Sequence, residues 1–236
     1  MFMQWFYSKS IVENNRIVLN PEESHHCVRV LRKQAGDLLV CTDGTGNYYE
    51  CELTDPNPQH AELVVIKHIA EYEKKSYRLH IAIAPTKNND RMEWFLEKAT
   101  EIGVDEITPL LCEHSERKVL KQERMERVIE SAMKQSQQTY LPVLNAMVGF
   151  YDFIKTAQAK AKYIAYCGTN PSLQLNQLII GESDILILIG PEGDFSDEEV
   201  QLALNQSFTT VSLGANRLRT ETAGVVSAVI ATVCGD

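Results

Sequence analysis

Two arginines and two glutamates stand in glycine-bounded turns towards the carboxyl end of the chain. Glu192 lies inside Gly190-Pro191-Glu192-Gly193, and Arg217, Arg219 and Glu221 lie in Ala215-Asn216-Arg217-Leu218-Arg219-Thr220-Glu221-Thr222-Ala223. Asp197, Glu198 and Glu199 crowd the same region, where carboxylates in the first turn of a helix compensate its dipole. That explanation does not reach Glu192, which sits in the turn itself. Arginines ahead of a helix oppose the dipole, so an anion, or a negative charge that develops during a reaction, accounts for Arg217 and Arg219.

The elements that must hold these residues follow from the surrounding pattern. Ile185-Leu186-Ile187-Leu188-Ile189 has no polar alternation, as expected of a central parallel strand covered on both faces. Gly-Pro-Glu-Gly ends its ladder, and Ser196 with Glu199 makes a Ser-x-x-Glu capping box that predicts a helix directly afterwards. Val211-Ser212-Leu213-Gly214 repeats the grammar, ending a strand before an apolar helix over Ala223–Cys234. Ligands of open α/β sheets sit at the carboxyl ends of the strands, so the two turns are expected to converge on one pocket.

Upstream, Leu79–Ala84, Ile107–Cys112 and Lys162–Cys167 read as strands, and Asp90–Ile102 and Gln122–Gln138 as helices. In the first helix Trp94, Phe95, Lys98, Ala99 and Ile102 are spaced for one buried face, and Gly103 stops it. Such alternation implies a mostly parallel sheet with helices on both faces. The last helix, apolar nearly all round, is expected to be buried or to lie in a subunit interface.

Residues 1–70 follow another rhythm. Short β-type runs at Arg16–Leu19, Leu38–Cys41, Tyr48–Leu53 and Ala61–Ile66 are separated by Gly36-Asp37, Asp43–Asn47 and Asp55–Pro58, which fits a small β-barrel. One helix, opened by Pro21 and ended near Gly36, interrupts it. The polar residues 71–77, of mixed charge, form the expected linker, and 78–236 the second domain.

Bulk properties narrow the classes. The apolar share of 44% and the charged share of 23% are those of a globular protein, and no apolar run reaches the ~18 residues of a membrane span. The first residues lack the basic and apolar regions of a signal peptide, and six cysteines occur with no Cys-x-x-Cys pair, so a reduced, cytoplasmic protein without a membrane partner is expected. His25-His26-Cys27 is not followed by further ligands, and adjacent side chains diverge, so no metal is expected. Gly-x-Gly-x-x-Gly, Gly-x-x-x-x-Gly-Lys and Gly-x-Ser-x-Gly are all absent. The net charge of −9 alone opposes nucleic-acid binding, yet a local basic face suffices to contact phosphates. One basic cluster is His25, His26, Arg29, Arg32 and Lys33. A second, from Arg117 to Lys134, is interleaved with glutamates as in a solvated helix.

Ile187-Leu188-Ile189-Gly190-Pro191-Glu192-Gly193-x-Phe195-Ser196 and Leu213-Gly214-x-x-x-Leu218-Arg219-Thr220-Glu221-Thr222-Ala223 resemble the two signature loops of the RsmE family. These are SPOUT-class methyltransferases that modify N3 of a uridine in small-subunit (16S) ribosomal RNA. The likeness runs along nearly the whole chain. Lys87, Glu97–Val104 and Pro109 resemble the family's first knot-domain segment, and Glu116-Arg117 and the Gln135-Ser136 helix its middle. The His25–Arg32 stretch with Gly36-Asp37 resembles its amino-terminal barrel. Two departures stand out: Asp194 where a second glycine is expected, and Lys134–Gln138 where many relatives carry an acidic residue and a terminal arginine.

The resemblance implies an α/β fold: a SPOUT trefoil-knot domain with a mostly parallel sheet, plus an amino-terminal PUA-like β-barrel that binds RNA, in a homodimer. It implies S-adenosylmethionine as cofactor, held by Pro85, Leu188, Gly190, Pro191, Glu192, Gly193, Leu213, Gly214, Leu218, Thr220 and Ala223. Glycine turns let the backbone approach such a ligand, and aliphatic neighbours can sandwich its base. N3 of uracil carries a proton, so the site must remove it or stabilise the charge left behind. Arg219, with Arg217 second, is expected to supply the stabilisation and Glu192 or Glu221 to act as base. Arg29, Arg32, Lys33, Lys87 and Arg117 are the expected contacts to 16S ribosomal RNA or the assembled small subunit. A non-catalytic RNA-binding assembly factor, or a SPOUT enzyme acting on another RNA, are the alternative readings.

Overall fold

A computed structural model describes residues 3–9, 11–12, 15–168 and 173–235, with the backbone alone for 11 and 12. The chain divides into two units, residues 1–74 with 130–141, and residues 75–129 with 142–236.

The first unit is a sheet of β1 (Trp5–Tyr7), β2 (Ile11–Val12), β3 (Arg16–Val18), β4 (Leu38–Thr42), β5 (Tyr48–Asp55) and β6 (Glu62–Ile69), in the order β1-β4-β5-β6-β3-β2. β1 runs parallel to β4 and the other pairs are antiparallel. Alternation along β5 turns Tyr49, Cys51 and Leu53 inward onto Phe6, Ile17, Leu39 and Leu63. Cys27, Cys41 and Cys51 are buried here as free thiols, small apolar fillers. Register shifts between Glu50 and Cys51 and between Leu53 and Asp55 bend the sheet into a half-barrel.

Helix α1 (Pro21–His25) is capped by the Asn20 side chain, with proline at its first position. It passes into a π-helical turn, His26–Val30, so helical structure ends before the expected stop at Gly36. Buried Ser24 ties it to the sheet, donating to the Leu19 carbonyl at 3.0 Å and accepting from the Ala61 N–H at 2.9 Å.

Residues 71–74 and 130–141 also belong to this unit, although the sequence pattern assigned the former to a linker and the latter to the second domain. Periodicity identifies a helix but not the surface it packs on. Thr139 accepts from the Gly46 N–H at 2.9 Å and from the Thr42 hydroxyl at 3.2 Å, and its own hydroxyl donates to the Tyr72 carbonyl at 3.0 Å. Gly46, at φ 95°, has no room for a side chain because the Tyr140 ring lies against its α-carbon.

The second unit holds β7 (Arg78–Ile83), β8 (Glu106–Leu111), β9 (Val143–Leu144), β10 (Val148–Gly149), β11 (Ala161–Ala165), β12 (Leu173–Gln174), β13 (Asp184–Ile189) and β14 (Thr209–Ser212). Their order is β10-β8-β7-β13-β11-β14-β12, with β9 also on β8, and every pair is parallel. β13 lies between β7 and β11 with Ile185 to Ile189 buried, as its unbroken aliphatic run implied. The helices that follow are α2 (Asn89–Ile102), α3 (Gln122–Gln135, from Glu130 onward counted with the first unit), α4 (Phe150–Thr156), α5 (Leu175–Leu178), α6 (Asp197–Asn205) and α7 (Thr220–Gly235).

Two helices differ from expectation. The buried face of α2 is Met92, Phe95, Leu96, Ala99 and Thr100, while Trp94 is 42% exposed. The reason is α7: a side chain on its Gly224 would strike the Phe95 ring and Ile83, so the two helices approach closely along that face. Helix α7 also begins at Thr220, three residues before the expected start, which places Thr220 and Glu221 in its first turn. Gly224, Ser227, Ala228 and Ala231 are buried on one side, whereas Val229 and Val233 are exposed on the other.

Candidate active site

The loops at the carboxyl ends of β11, β13 and β14 enclose a cavity of about 670 Å³. Its walls are Gly190-Pro191-Glu192 and Asp194 after β13, residues 212–220 with Ala223 at and after β14, residues 165–168 after β11, and Gln174.

The wall after β13 is tied from several directions. A Cβ on Gly190 would stand 3.0 Å from the Phe195 ring and 3.3 Å from its backbone nitrogen, so glycine lets the turn fold back onto Phe195. The Thr220 hydroxyl donates to the Gly190 carbonyl at 3.1 Å, and Arg217 Nη2 donates to the Glu192 carbonyl at 3.3 Å. The Lys87 N–H donates to Glu192 Oε1 at 3.2 Å. Asp194 adopts φ 65°, a left-handed conformation that aspartate tolerates better than most residues, and its N–H closes the turn on the Pro191 carbonyl at 2.9 Å.

The capping box forms with both bonds: the Glu199 N–H donates to Ser196 Oγ at 3.3 Å, and the Ser196 N–H to Glu199 Oε2 at 2.9 Å. Glu199 does more than compensate a dipole. Fully buried, it accepts the Glu113 N–H through Oε1 at 2.9 Å, joining the segment after β8 to the start of α6. A buried carboxylate is tolerated because backbone donors hold it.

Most of the residues singled out in the two turns meet at this cavity. Glu192, Arg217 and Arg219 line it, as do Gly190, Pro191, Leu213, Gly214, Leu218, Thr220 and Ala223. Glu221, Pro85, Leu188 and Gly193 do not. Glu221 is turned about 100° around α7 from Thr220 and lies buried with Oε1 3.7 Å from Arg91 Nε, facing α2. Leu188 is packed in the core with Ala82, Leu110 and Phe150, and Pro85 is buried after β7. Gly193 is exposed beside His114, whose Cβ would lie 3.0 Å from an added side chain. The pattern missed Tyr166, Cys167, Gly168, Gln174, Ser212 and Asn216. Its one available signal was that Lys162–Cys167, like the other two strands, ends at a glycine.

Charges in the site are unevenly engaged. Arg219 is exposed to the cavity, and its guanidinium has no hydrogen bond or carboxylate partner among the described residues. The Tyr166 phenol is raised above its ordinary pKa by its bond to Asp197, 3.1 Å away. The Cys167 thiol is raised by burial and by Asp194, against an opposing pull from Arg217. Among the described residues no cluster of three or more His, Cys, Asp or Glu could hold a metal ion, and no helix is long and apolar enough to cross a membrane.

The basic residues expected to contact RNA fall into two groups. Arg117 donates through Nε to the carbonyls of Thr86 at 3.0 Å and Lys87 at 3.2 Å, and Lys87 pairs with Glu116 at 2.7 Å, so both are engaged internally. Arg29 and Arg32, in the first unit, are exposed with no carboxylate in ion-pair range among the described residues, and Lys33 is half-buried beside them.

Comparison with known proteins agrees with this architecture. Residues 73–232 match an RNA methyltransferase domain and residues 19–66 an RNA methyltransferase PUA domain. A crystal structure of a probable rRNA methyltransferase from Porphyromonas gingivalis is 42% identical, with a TM-score of 0.88 over 96% of this chain and 95% of that one. A methyltransferase from Legionella pneumophila, solved with its cofactor SAM bound, is 26% identical with a TM-score of 0.88, over 99% of this chain and 98% of that one. The ribosomal RNA small subunit methyltransferase E of Synechocystis is 29% identical over 93% of this chain and 78% of its own length. With the PUA and methyltransferase domains matched in order along it, the chain belongs to the RsmE family of RNA methyltransferases.

Proposed function

We propose that the chain is an S-adenosylmethionine-dependent methyltransferase that methylates N3 of a specific uridine in 16S ribosomal RNA. The observation that carries this reading is Arg219, a guanidinium without an internal partner presented to a cavity at the carboxyl ends of parallel strands. The small-subunit substrate and the cofactor are those named for the Synechocystis and Legionella relatives.

The residues present fit such a cofactor. A cavity of about 670 Å³ lies within the range of nucleotide-sized ligand sites. Ile189, Leu213 and Leu218 offer apolar faces for a base, and the backbone at Gly190 and Gly214 is open to a ribose. S-Adenosylmethionine supplies an electrophilic methyl group. The protein's part is the N3 proton. Arg219 stabilises the negative charge that spreads over O2 and O4 of uracil as that proton leaves. Glu192, which keeps one oxygen on the Lys87 N–H, accepts the proton directly or through water. Arg217 holds the Glu192 carbonyl and so orients that turn. Glu221, directed at Arg91, takes no part in the transfer.

N3 lies on the Watson–Crick edge, so the target uridine is unpaired or flipped out when it reacts. The half-barrel grips the RNA backbone through Arg29 and Arg32, a contact that weakens with salt. The trefoil knot of the SPOUT class is part of this reading, supported by a strand order in which β13, late in the chain, enters between β7 and β11. So is a homodimer, supported by the exposed Val229 and Val233 on α7.

The test is methyl transfer from labelled S-adenosylmethionine to small subunits from a strain lacking this protein, with the modified nucleosides read by mass spectrometry. New N3-methyluridine is the expected product. Cofactor binding with methylation of a different RNA moves the enzyme to another substrate, and no cofactor binding favours a non-catalytic assembly factor.

A further inference from the structure

We propose that Asp194 is a positioning residue that locks the loop after β11 onto the turn after β13, and thereby sets the shape in which the cavity receives S-adenosylmethionine. This rests on the reading of that cavity as the cofactor site.

A left-handed position such as that of Asp194, at φ 65°, is one where glycine is strain-free. An aspartate there is strained by comparison, and what it brings is a carboxylate directed at two backbone donors. Oδ1 accepts the N–H of Phe195 at 2.9 Å, a local bond within the turn. Oδ2 accepts the N–H of Cys167 at 3.1 Å, 27 positions away in sequence. Cys167 belongs to residues 165–168, the cavity wall that follows β11. The Asp194 carbonyl lies 3.0 Å from His114 Nδ1, which requires the proton on that nitrogen, so the segment after β8 is joined at the same residue.

A second bond joins the same two segments: the hydroxyl of Tyr166, one residue before Cys167, donates to Oδ1 of Asp197, three residues after Asp194, at 3.1 Å. Tyr166, Cys167 and Asp194 all line the cavity. The upward pull of Asp194 on the Cys167 thiol reports the same proximity. With glycine at 194 the turn would keep its backbone path and its Pro191 bond, but the wall after β11 would lose the Cys167 tie and be left tied to this segment by the Tyr166–Asp197 bond alone. Position 194 therefore separates the shape of the turn from the shape of the cavity.

The experiment compares full-length wild type with Asp194→Gly and Asp194→Asn. Asparagine tolerates the left-handed conformation, and its single acceptor oxygen can take the Cys167 N–H in place of the local Phe195 bond, so it should rescue the tie. Amide hydrogen exchange of the 165–168 segment, measured without cofactor, reads the tie itself. Asp194→Gly is expected to speed exchange at Cys167 by about tenfold, and Asp194→Asn by less than about threefold, as loss of one charge-assisted bond implies. Calorimetric affinity for S-adenosylmethionine should fall about tenfold in Asp194→Gly, with KM for the cofactor rising in proportion and kcat held within about twofold. Unchanged exchange in Asp194→Gly overturns the tie, and faster exchange with unchanged affinity overturns its role in shaping the cavity. A wild-type protein that binds no S-adenosylmethionine overturns the cofactor reading and leaves the exchange rates to decide the tie.

Discussion

At the amino ends of β7, β8 and β13, charged side chains are paired off among themselves. Arg78 sits between Glu106 and Asp184, 3.1 Å from the latter, and Lys75 holds Asp105 at 2.8 Å. Asn145 donates to Glu106 at 2.6 Å and to Thr108 at 2.8 Å, and the buried imidazole of His80 reaches the Thr108 hydroxyl at 2.8 Å. At the carboxyl ends of the neighbouring strands, the Arg219 guanidinium is left with no partner among the described residues and the segment from Gly214 to Arg217 is exposed. One end of the sheet satisfies its polar groups internally and so contributes stability. The other keeps donors free for a ligand that the protein itself does not supply. A polar group lowers the energy of the fold or of a bound state according to where its partner resides.

Four perturbations break or sharpen that contrast, in descending size. Arg219→Ala should lower turnover by about 10²–10³-fold while cofactor affinity stays within about threefold and the melting temperature does not move. Equal losses of turnover and affinity would remove Arg219 from the transition state. At the other end, burial lowers His80 from its ordinary pKa of 6.5 to about 4, against the opposing pull of Glu106. The unfolded chain therefore takes up the proton first, so this stability is full above pH 6.5 and drains away as the pH falls through about 4. At ~1.4 kcal/mol per unit it amounts to about 3 kcal/mol. Urea midpoints between pH 7 and pH 4 measure it, and the slope should flatten in His80→Gln.

Glu106→Ala leaves Arg78 and Asn145 each short of a partner and should cost about 2 kcal/mol, or roughly 5 °C in melting temperature. Its turnover per folded molecule should match wild type, and a fall there would mean the two ends are coupled. Gly214→Ala has space for the methyl group but sits at φ 136°. The backbone strain, about 1 kcal/mol, should appear as a few-fold rise in KM for the cofactor and little change in melting.

What the sequence disclosed follows from the range of each interaction. The aliphatic run of β13 and the Ser196–Glu199 box are local signals, and both elements stand where the pattern put them. Partners distant in sequence left no trace. Glu199 could be read as a cap but not as the acceptor for Glu113, 86 positions away. Arg117 could be read as a free cation but not as the donor to Thr86 and Lys87. The exposure of Trp94 and the burial of Glu221 share a reason that no local pattern carries: which side of a helix is buried depends on the close approach of α2 and α7, which the glycine at 224 permits. Family resemblance supplied the roles of the turns, and the folded chain divided those residues between the cavity wall and the scaffold behind it.

The discontinuity of the first unit has a consequence for synthesis. Its half-barrel lacks Thr139 and Tyr140 until long after β6 has emerged, and the nearly buried Glu23 pairs with Lys134. A chain released or cut at residue 74 exposes the surface that these residues cover. On the ribosome, the amino-terminal unit waits for residue 141, by which time β7, α2 and β8 are already outside. Domains ordinarily fold in the order in which they are made. Here the first to begin cannot be the first to finish, and the half-barrel matures only alongside the parallel sheet.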